Sequence, residues 1–304
     1  MKLLFNYLLF PGFLFSACVG LIAGWVDRKV TARIQWRKGP PWYQNFVDLM
    51  KLLGKETIIP QGASRMTFLL APFLGLLSAV LVATILGVSL RMPLESFAGD
   101  VIVILYLLTM PAVSMILGGS SSRNPLASVG ASREMKLVLG YELPFILSIL
   151  AVIIRSGGSI QLGPILNQQI NFGSNLASWP GALAFIAAIF CMQAKLGFVP
   201  FDVAEAEQEI MAGAVIEYSG LPLAVFRLTK AVLLYTIPLF LIVLFWAGDL
   251  SWLSLTGKYI AVLVIIILIK NTNPRLRIDQ AMRFFWGPVT ALAGISVILA
   301  LFGL

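Results

Sequence analysis

The chain has 304 residues, of which 59% are hydrophobic and 12% charged, with a mean hydropathy of +0.92 and a net charge of +8. A soluble domain carries about a quarter charged residues, so this composition excludes a soluble globular protein and defines a helical protein that crosses a bilayer several times. The lack of histidine excludes haem, the usual zinc sites and histidine proton relays, and the positive charge reflects basic loops on one membrane face rather than nucleic-acid binding.

In chain order, residues 5–26 form a first apolar span, too long and too weakly flanked for a cleaved signal peptide. A polar segment follows at 27–66. Within 40–56, Trp42, Phe46, Leu49 and Leu53 recur at helical spacing opposite Asp48, Lys51 and Lys55, which predicts an amphipathic helix in the interface. Further spans are predicted at 67–90, 100–119, 136–155, 179–197, 222–247, 252–270 and 284–304, each near the roughly 20 residues that cross a bilayer core. The expectation is an all-α polytopic protein with about eight transmembrane helices, forming a single integral membrane domain over 1–304. Cys18 and Cys191 fall inside apolar runs, have no metal-ligand spacing, and read as small buried hydrophobes. No Gly-rich phosphate loop follows a strand pattern.

Most Lys and Arg residues lie in the loops at about 27–66, 120–136 and 270–283, while the other face holds Lys2, Arg91, Arg155 and Lys258. The positive-inside rule makes the basic loops cytoplasmic and puts both termini outside, in the cell membrane. The fourth loop on the basic side, 198–221, is acidic instead.

That loop carries Asp202, Glu205, Glu207, Glu209 and Glu217, five of the 14 acidic residues. Pro200 suits a first helical turn, and Asp202 with Glu205 has the spacing of an N-cap and its reciprocal partner. A helix continuing from there would put Asp202, Glu205 and Glu209 on one face, where carboxylates repel and some retain protons near neutral pH. The plainer reading is a capped, solvated helix start. Three charges are predicted inside spans: Glu142, followed by Pro144, and Arg227 with Lys230 as a candidate intramembrane pair. An ionisable group at membrane depth costs several kcal/mol and usually marks an ion pathway. The basic side chains could instead snorkel to the interface, whereas glutamate has no long stem for that.

Three blocks carry a family resemblance. Residues 198–220 resemble a signature of the complex I membrane subunit 1, or H, at the base of the peripheral arm. Gln35-Trp36-Arg37-Lys38-Gly39-Pro40, with Asp48, Lys51, Lys55 and Glu56, is similar to a second. Asn271-Thr272-Asn273-Pro274-Arg275-Leu276-Arg277, with Asp279, Gln280 and Trp286, is similar to a third. Pro41-Trp42 departs from the complex I pattern, and Gly130-Ala131-Ser132-Arg133-Glu134-Met135 resembles group 4 membrane-bound [NiFe]-hydrogenases and their ferredoxin-linked relatives.

The resemblance implies a membrane-anchor and coupling subunit of a redox-driven ion-pumping complex. Asp202, Glu205, Glu207 and Glu209 would form the acidic loop beneath a catalytic arm, and Glu142 and Glu217 the carboxylates leading into the membrane. Arg28, Arg33, Arg37, Arg275 and Arg277 would face the arm, and Arg133 with Glu134 would form the hydrogenase-type loop. No catalytic, cofactor or metal residue is implied on this chain. Iron–sulfur clusters, and NiFe in hydrogenases, belong to partner subunits: iron–sulfur and hydrogenase-like large subunits of the arm, antiporter-like subunits and small membrane subunits. Competing readings are a quinone-site subunit of a complex I-type dehydrogenase, a secondary ion transporter, for which there is no internal repeat, and a proton-silent scaffold.

Overall fold

In hydrocarbon every backbone N–H and C=O must find its partner within the segment, so the long apolar runs become helices. The computed structural model describes residues 2–303; the side chains of Lys2, Leu3, Glu207 and Gln208 lie outside the description. Every regular element among the described residues is helical. In order these are α1 (Lys2–Leu8), α2 (Phe13–Ile34), α3 (Gln44–Leu53), α4 (Arg65–Arg91), α5 (Asp100–Ser121), α6 (Pro125–Arg155), α7 (Leu162–Phe172), α8 (Trp179–Lys195), α9 (Glu207–Ile210), α10 (Gly220–Phe245), α11 (Trp252–Thr272), α12 (Ile278–Phe284) and α13 (Thr290–Leu301). Short 3₁₀ turns interrupt the connections, and a π-turn over Phe285–Val289, containing Pro288, joins α12 to α13.

Seven of the described stretches are long and apolar enough to cross a membrane: Leu4–Ile34, α4, α5, α6, α10, α11 and Ile278–Leu301. The 17-residue α8 is apolar but shorter. Together they give the polytopic all-α architecture expected from composition, with α3 as the amphipathic helix.

The packing centres on α10, whose residues 232–245 are all buried. α2 crosses it closely at Gly20, where a Cβ would sit 2.0 Å from the Ala231 carbonyl oxygen; small residues permit such backbone approach between membrane helices. α4 and α5 pair on another side, and α6, α8 and α13 form a second group sharing the same apolar core. Outward-facing apolar residues such as Leu70, Leu77, Leu139 and Ile298 stay exposed on the isolated chain, as surfaces solvated by lipid do.

Several boundaries differ from the sequence reading. α2 runs on to Ile34, so Arg28 and Arg33 sit on a helix rather than in a loop. α6 begins at Pro125, capped by the Asn124 side chain, which accepts a hydrogen bond from the Leu126 N–H at 2.8 Å. Arg133 and Glu134 are therefore helical, and Glu142 lies 17 residues past the start of α6 rather than near the start of a span beginning at 136. The acidic stretch does not continue as a helix either. It breaks into 3₁₀ turns at Val203–Glu205 and Gly213–Val215 around the four-residue α9, and Asp202 makes no side-chain cap. Met211 and Gly213, with φ of +57° and +52°, are incompatible with helical continuation. Cys191 is buried as expected, but Cys18 is exposed on the outer surface of α2, where lipid can accept a thiol as readily as a core does.

At the far end of α10, Gln169 of α7 donates from Nε2 to the Val243 and Leu244 carbonyls at 2.9 and 3.0 Å, and accepts from the Ala247 N–H at 2.9 Å. Asn175 donates to the Leu244 carbonyl at 2.9 Å. These bonds satisfy carbonyls that a helix terminus leaves without partners.

Candidate functional site

Between α5, α6, α8, α10 and the segment 196–205 lies a narrow, partly open cleft with a cavity volume of about 40 Å³. Local chemistry shapes it. α8 ends at Leu196-Gly197, where Gly197 takes φ +62° and the Phe198 N–H returns to the Gln193 carbonyl at 3.2 Å. The chain is then fixed by Phe201, which is fully buried with its ring centroid 4.7 Å from that of Phe285, and by the Leu276 N–H bonding the Pro200 carbonyl at 3.0 Å. With Phe201 anchored, Asp202 and Glu205 are carried over the cleft.

The acidic segment also rests directly on α6. A Cβ at Gly130 would meet the Ala214 nitrogen at 2.5 Å and the Ala204 carbonyl oxygen at 3.0 Å. Glycine is what lets this backbone dock.

Instead of crowding together, the carboxylates each take a different cation. Asp202 pairs with Arg275 at 2.8 Å, Glu205 with Lys230, and Glu209 with Arg133 at 2.5 Å. The cleft is lined by Glu134, Lys195, Asp202, Glu205 and Lys230. Glu134 is buried and within electrostatic reach of Glu205, Lys230 and Lys195. Lys195, whose side chain is 1% exposed, donates to Glu142 at 2.7 Å; its ammonium also lies 4.9 Å from the Tyr141 ring and 4.8 Å from the Phe145 ring. The Glu142 carboxylate is therefore not free: its partner reaches it from the cleft wall.

A second cleft, of about 240 Å³, lies between α2, α3 and α10, lined by Asp27, Arg28, Asp48, Arg227 and Lys230 among others. Lys230 borders both clefts. Asp27 is buried on α2 and pairs with Lys270 of α11 at 2.7 Å, while Arg28 bonds Asn45 at 2.6 Å and Asp48 at 3.3 Å, holding α3 beneath α2.

The remaining predicted residues fall outside the clefts. Glu217 accepts from the Asn124 side chain at 2.5 Å, and so sits at the start of α6 rather than along a path into the bundle. Arg33, Arg37 and Arg277 are exposed. Arg227 and Lys230 do not form a pair: Lys230 turns to Glu205, and Arg227 is exposed with no ion pair among the described residues. The Glu207 side chain lies outside the described residues. Sequence reasoning passes over Lys195, Asp27 and Lys270. Each sits in or at the end of an apolar run, where a lone charge resembles a helix terminus. The available hint is Glu142, whose burial calls for a cation from another helix.

Burial pushes the Asp202 carboxyl above its ordinary 3.8, and the Arg275 guanidinium opposes the rise without cancelling it. The folded carboxyl thus holds its proton more tightly than the unfolded one, and stability declines as pH climbs from 3.8 through the folded value. Thermal unfolding in detergent as a function of pH should show that decline, and Asp202→Asn should flatten it. An identical slope in the variant would assign the effect to other groups.

A multi-helix membrane subunit with a charged cleft buried beneath one loop-rich face is the class this arrangement defines. The chain belongs to the NADH dehydrogenase family, which matches residues 7–301 and takes in the H subunits of complex I. The H subunit of the NADH-quinone oxidoreductase of Thermomicrobium roseum is 33% identical, with 97% of this chain and 95% of that protein aligned. Its counterpart from Geobacillus kaustophilus is 30% identical over 90% of this chain and 86% of its own length. Among solved structures, a chain of the membrane-bound sulfane sulfur reductase, an archaeal respiratory membrane complex, superposes with a TM-score of 0.90 at 31% identity, covering 99% of this chain and 100% of that one.

Proposed function

We propose that this chain is the membrane-anchor and coupling subunit of a ferredoxin-linked, redox-driven ion-pumping complex of the membrane-bound hydrogenase and sulfur-reductase type. The observation that carries the reading is the succession of ion pairs from the exposed Glu209–Arg133 contact, through Glu205–Lys230 and buried Glu134, to Lys195–Glu142 inside the bundle. A redox event in a docked arm that shifts the 202–209 segment alters the hold of Glu205 on Lys230. The field at Glu134 and Lys195 changes with it, and Glu142 changes its pairing. That altered charge biases a neighbouring antiporter-like subunit. The basic loops face the cytoplasm and the arm, whose subunits carry the iron–sulfur clusters; the termini face outward.

The near-complete superposition on a sulfane sulfur reductase chain supports this type. The second reading, a quinone-site subunit, is favoured by the names of the curated relatives. Purifying the native complex and measuring nickel, hydrogen evolution, sulfur reduction and quinone reduction separates them. Hydrogen evolution or sulfur reduction without quinone reductase activity is the expected result, and quinone reduction alone would establish the second reading. Substrate flux through the lone reconstituted chain would indicate a transporter instead.

A further inference from the structure

At the end of the bundle opposite the charged clefts, α2, α4, α10 and α11 border a partly open cavity of about 420 Å³. Its walls are apolar, from Phe15, Val19, Leu239 and Leu255, with the Phe15 ring edge-on to Tyr235 at 5.7 Å. The rim is different. Trp252, the first residue of α11, stands 68% exposed there. Beside it is Arg91, the last residue of α4, exposed and without an ion pair among the described residues, its guanidinium 5.2 Å from the centroid of the Phe10 ring. Lys258, the other cation on this side of α11, is by contrast already engaged by the Asp249 carbonyl at 2.5 Å.

We propose that this cleft holds an anionic phospholipid, its phosphate on Arg91 and an acyl chain along Phe15, Val19 and Leu239. An apolar hollow of this size is not left void in a close-packed protein, and in a bilayer the material at hand is hydrocarbon. Tryptophan and arginine at a helix end mark headgroup depth. A guanidinium with free donors matches phosphate bidentately, and charge complementarity selects an anionic lipid over a zwitterionic one. Nothing in the coupling path uses this site, which lies across the bundle from Lys195 and Glu142.

The test uses the assembled complex, delipidated and returned to nanodiscs containing a photoactivatable phosphatidylglycerol. Crosslinks should map to peptides spanning 10–19 and 235–256, with unlabelled phosphatidylglycerol competing and neither phosphatidylcholine nor inorganic phosphate doing so. Arg91→Glu should lower the labelling about tenfold, the effect of losing a charge-assisted contact, while Arg91→Lys should keep most of it. Leu239→Trp, which fills the cleft and leaves the charge, should also lower it. Equal competition by phosphatidylcholine, labelling indifferent to both Arg91→Glu and Leu239→Trp, or crosslinks from these positions to another subunit in place of lipid would overturn the proposal.

Discussion

Glu142→Gln is expected to uncouple the complex and to destabilise the subunit together, because it strands Lys195. The Lys195 side chain is almost wholly buried, and its ammonium would keep only the Tyr141 and Phe145 ring faces and the field of Glu134. Removing one partner of a buried ion pair costs about 3–5 kcal/mol, and a mixed site in which Glu142 is 22% exposed belongs at the lower end. Lys195→Met should cost less, since Glu142 is less deeply buried than Lys195. The double variant Glu142→Gln/Lys195→Met should recover most of the stability, an uncharged pair being tolerated where a lone charge is not. Coupling should stay lost in all three. The measurements are melting temperature of the purified complex and ions translocated per electron, set against the redox rate of the arm. Normal pumping in the stable double variant would remove Glu142 and Lys195 from the path and leave the subunit as an anchor.

Gly130→Ala is expected to act from outside the ion-pair series. The added methyl would be 2.5 Å from the Ala214 nitrogen and 2.9 Å from the Gly213 carbonyl carbon, both backbone atoms, so α6 and the acidic segment must separate. Overpacking of this kind costs about 1–3 kcal/mol. The Glu209–Arg133 pair lies three residues along α6 from the clash, and the Val203–Glu205 turn that positions Glu205 contacts the same surface. Faster proteolysis within 203–216 and loss of coupling, with the helical content of the bundle retained, is the expected pattern. Unaltered protease resistance would show that the segment accommodates the methyl and that Gly130 does not set its position.

Hydropathy carries most of the membrane architecture. The predicted 67–90, 222–247 and 252–270 lie within two residues of the observed α4, α10 and α11 at each end. The misses share a cause: hydropathy stops where charges begin, whereas a helix stops where capping and backbone geometry tell it to. It cuts α6 short at Lys136, although Asn124-Pro125 carries a usable N-cap and first-turn signal. It also misses α7, although Leu162, Ile165, Leu166 and Gln169, all buried, fall at i, i+3, i+4 and i+7.

The site divides in the same way. That Asp202, Glu205 and Glu142 need cationic partners is legible from acidic residues flanked by apolar runs. Their partners are not, because Arg275, Lys230 and Lys195 come from three different elements, and only the folded packing of α8, α10 and the 273–277 connection selects among the cations. Even the direction of Glu217, turned to Asn124, depends on where α6 starts.

The bonds from Gln169 and Asn175 make one end of α10 a fixed mounting. Its other end begins at Ser219-Gly220 without a side-chain cap and carries Lys230, shared by two clefts. That end is held as well, by the Tyr218 hydroxyl donating to the Phe68 carbonyl at 3.0 Å and the Ser219 hydroxyl to the Glu56 carbonyl at 3.3 Å, and a beam fixed at both tips neither tilts nor slides. A disturbance at Lys230 is therefore expected to pass to the neighbouring helices as a change of charge pairing rather than as movement of α10, with little displacement reaching the opposite membrane face.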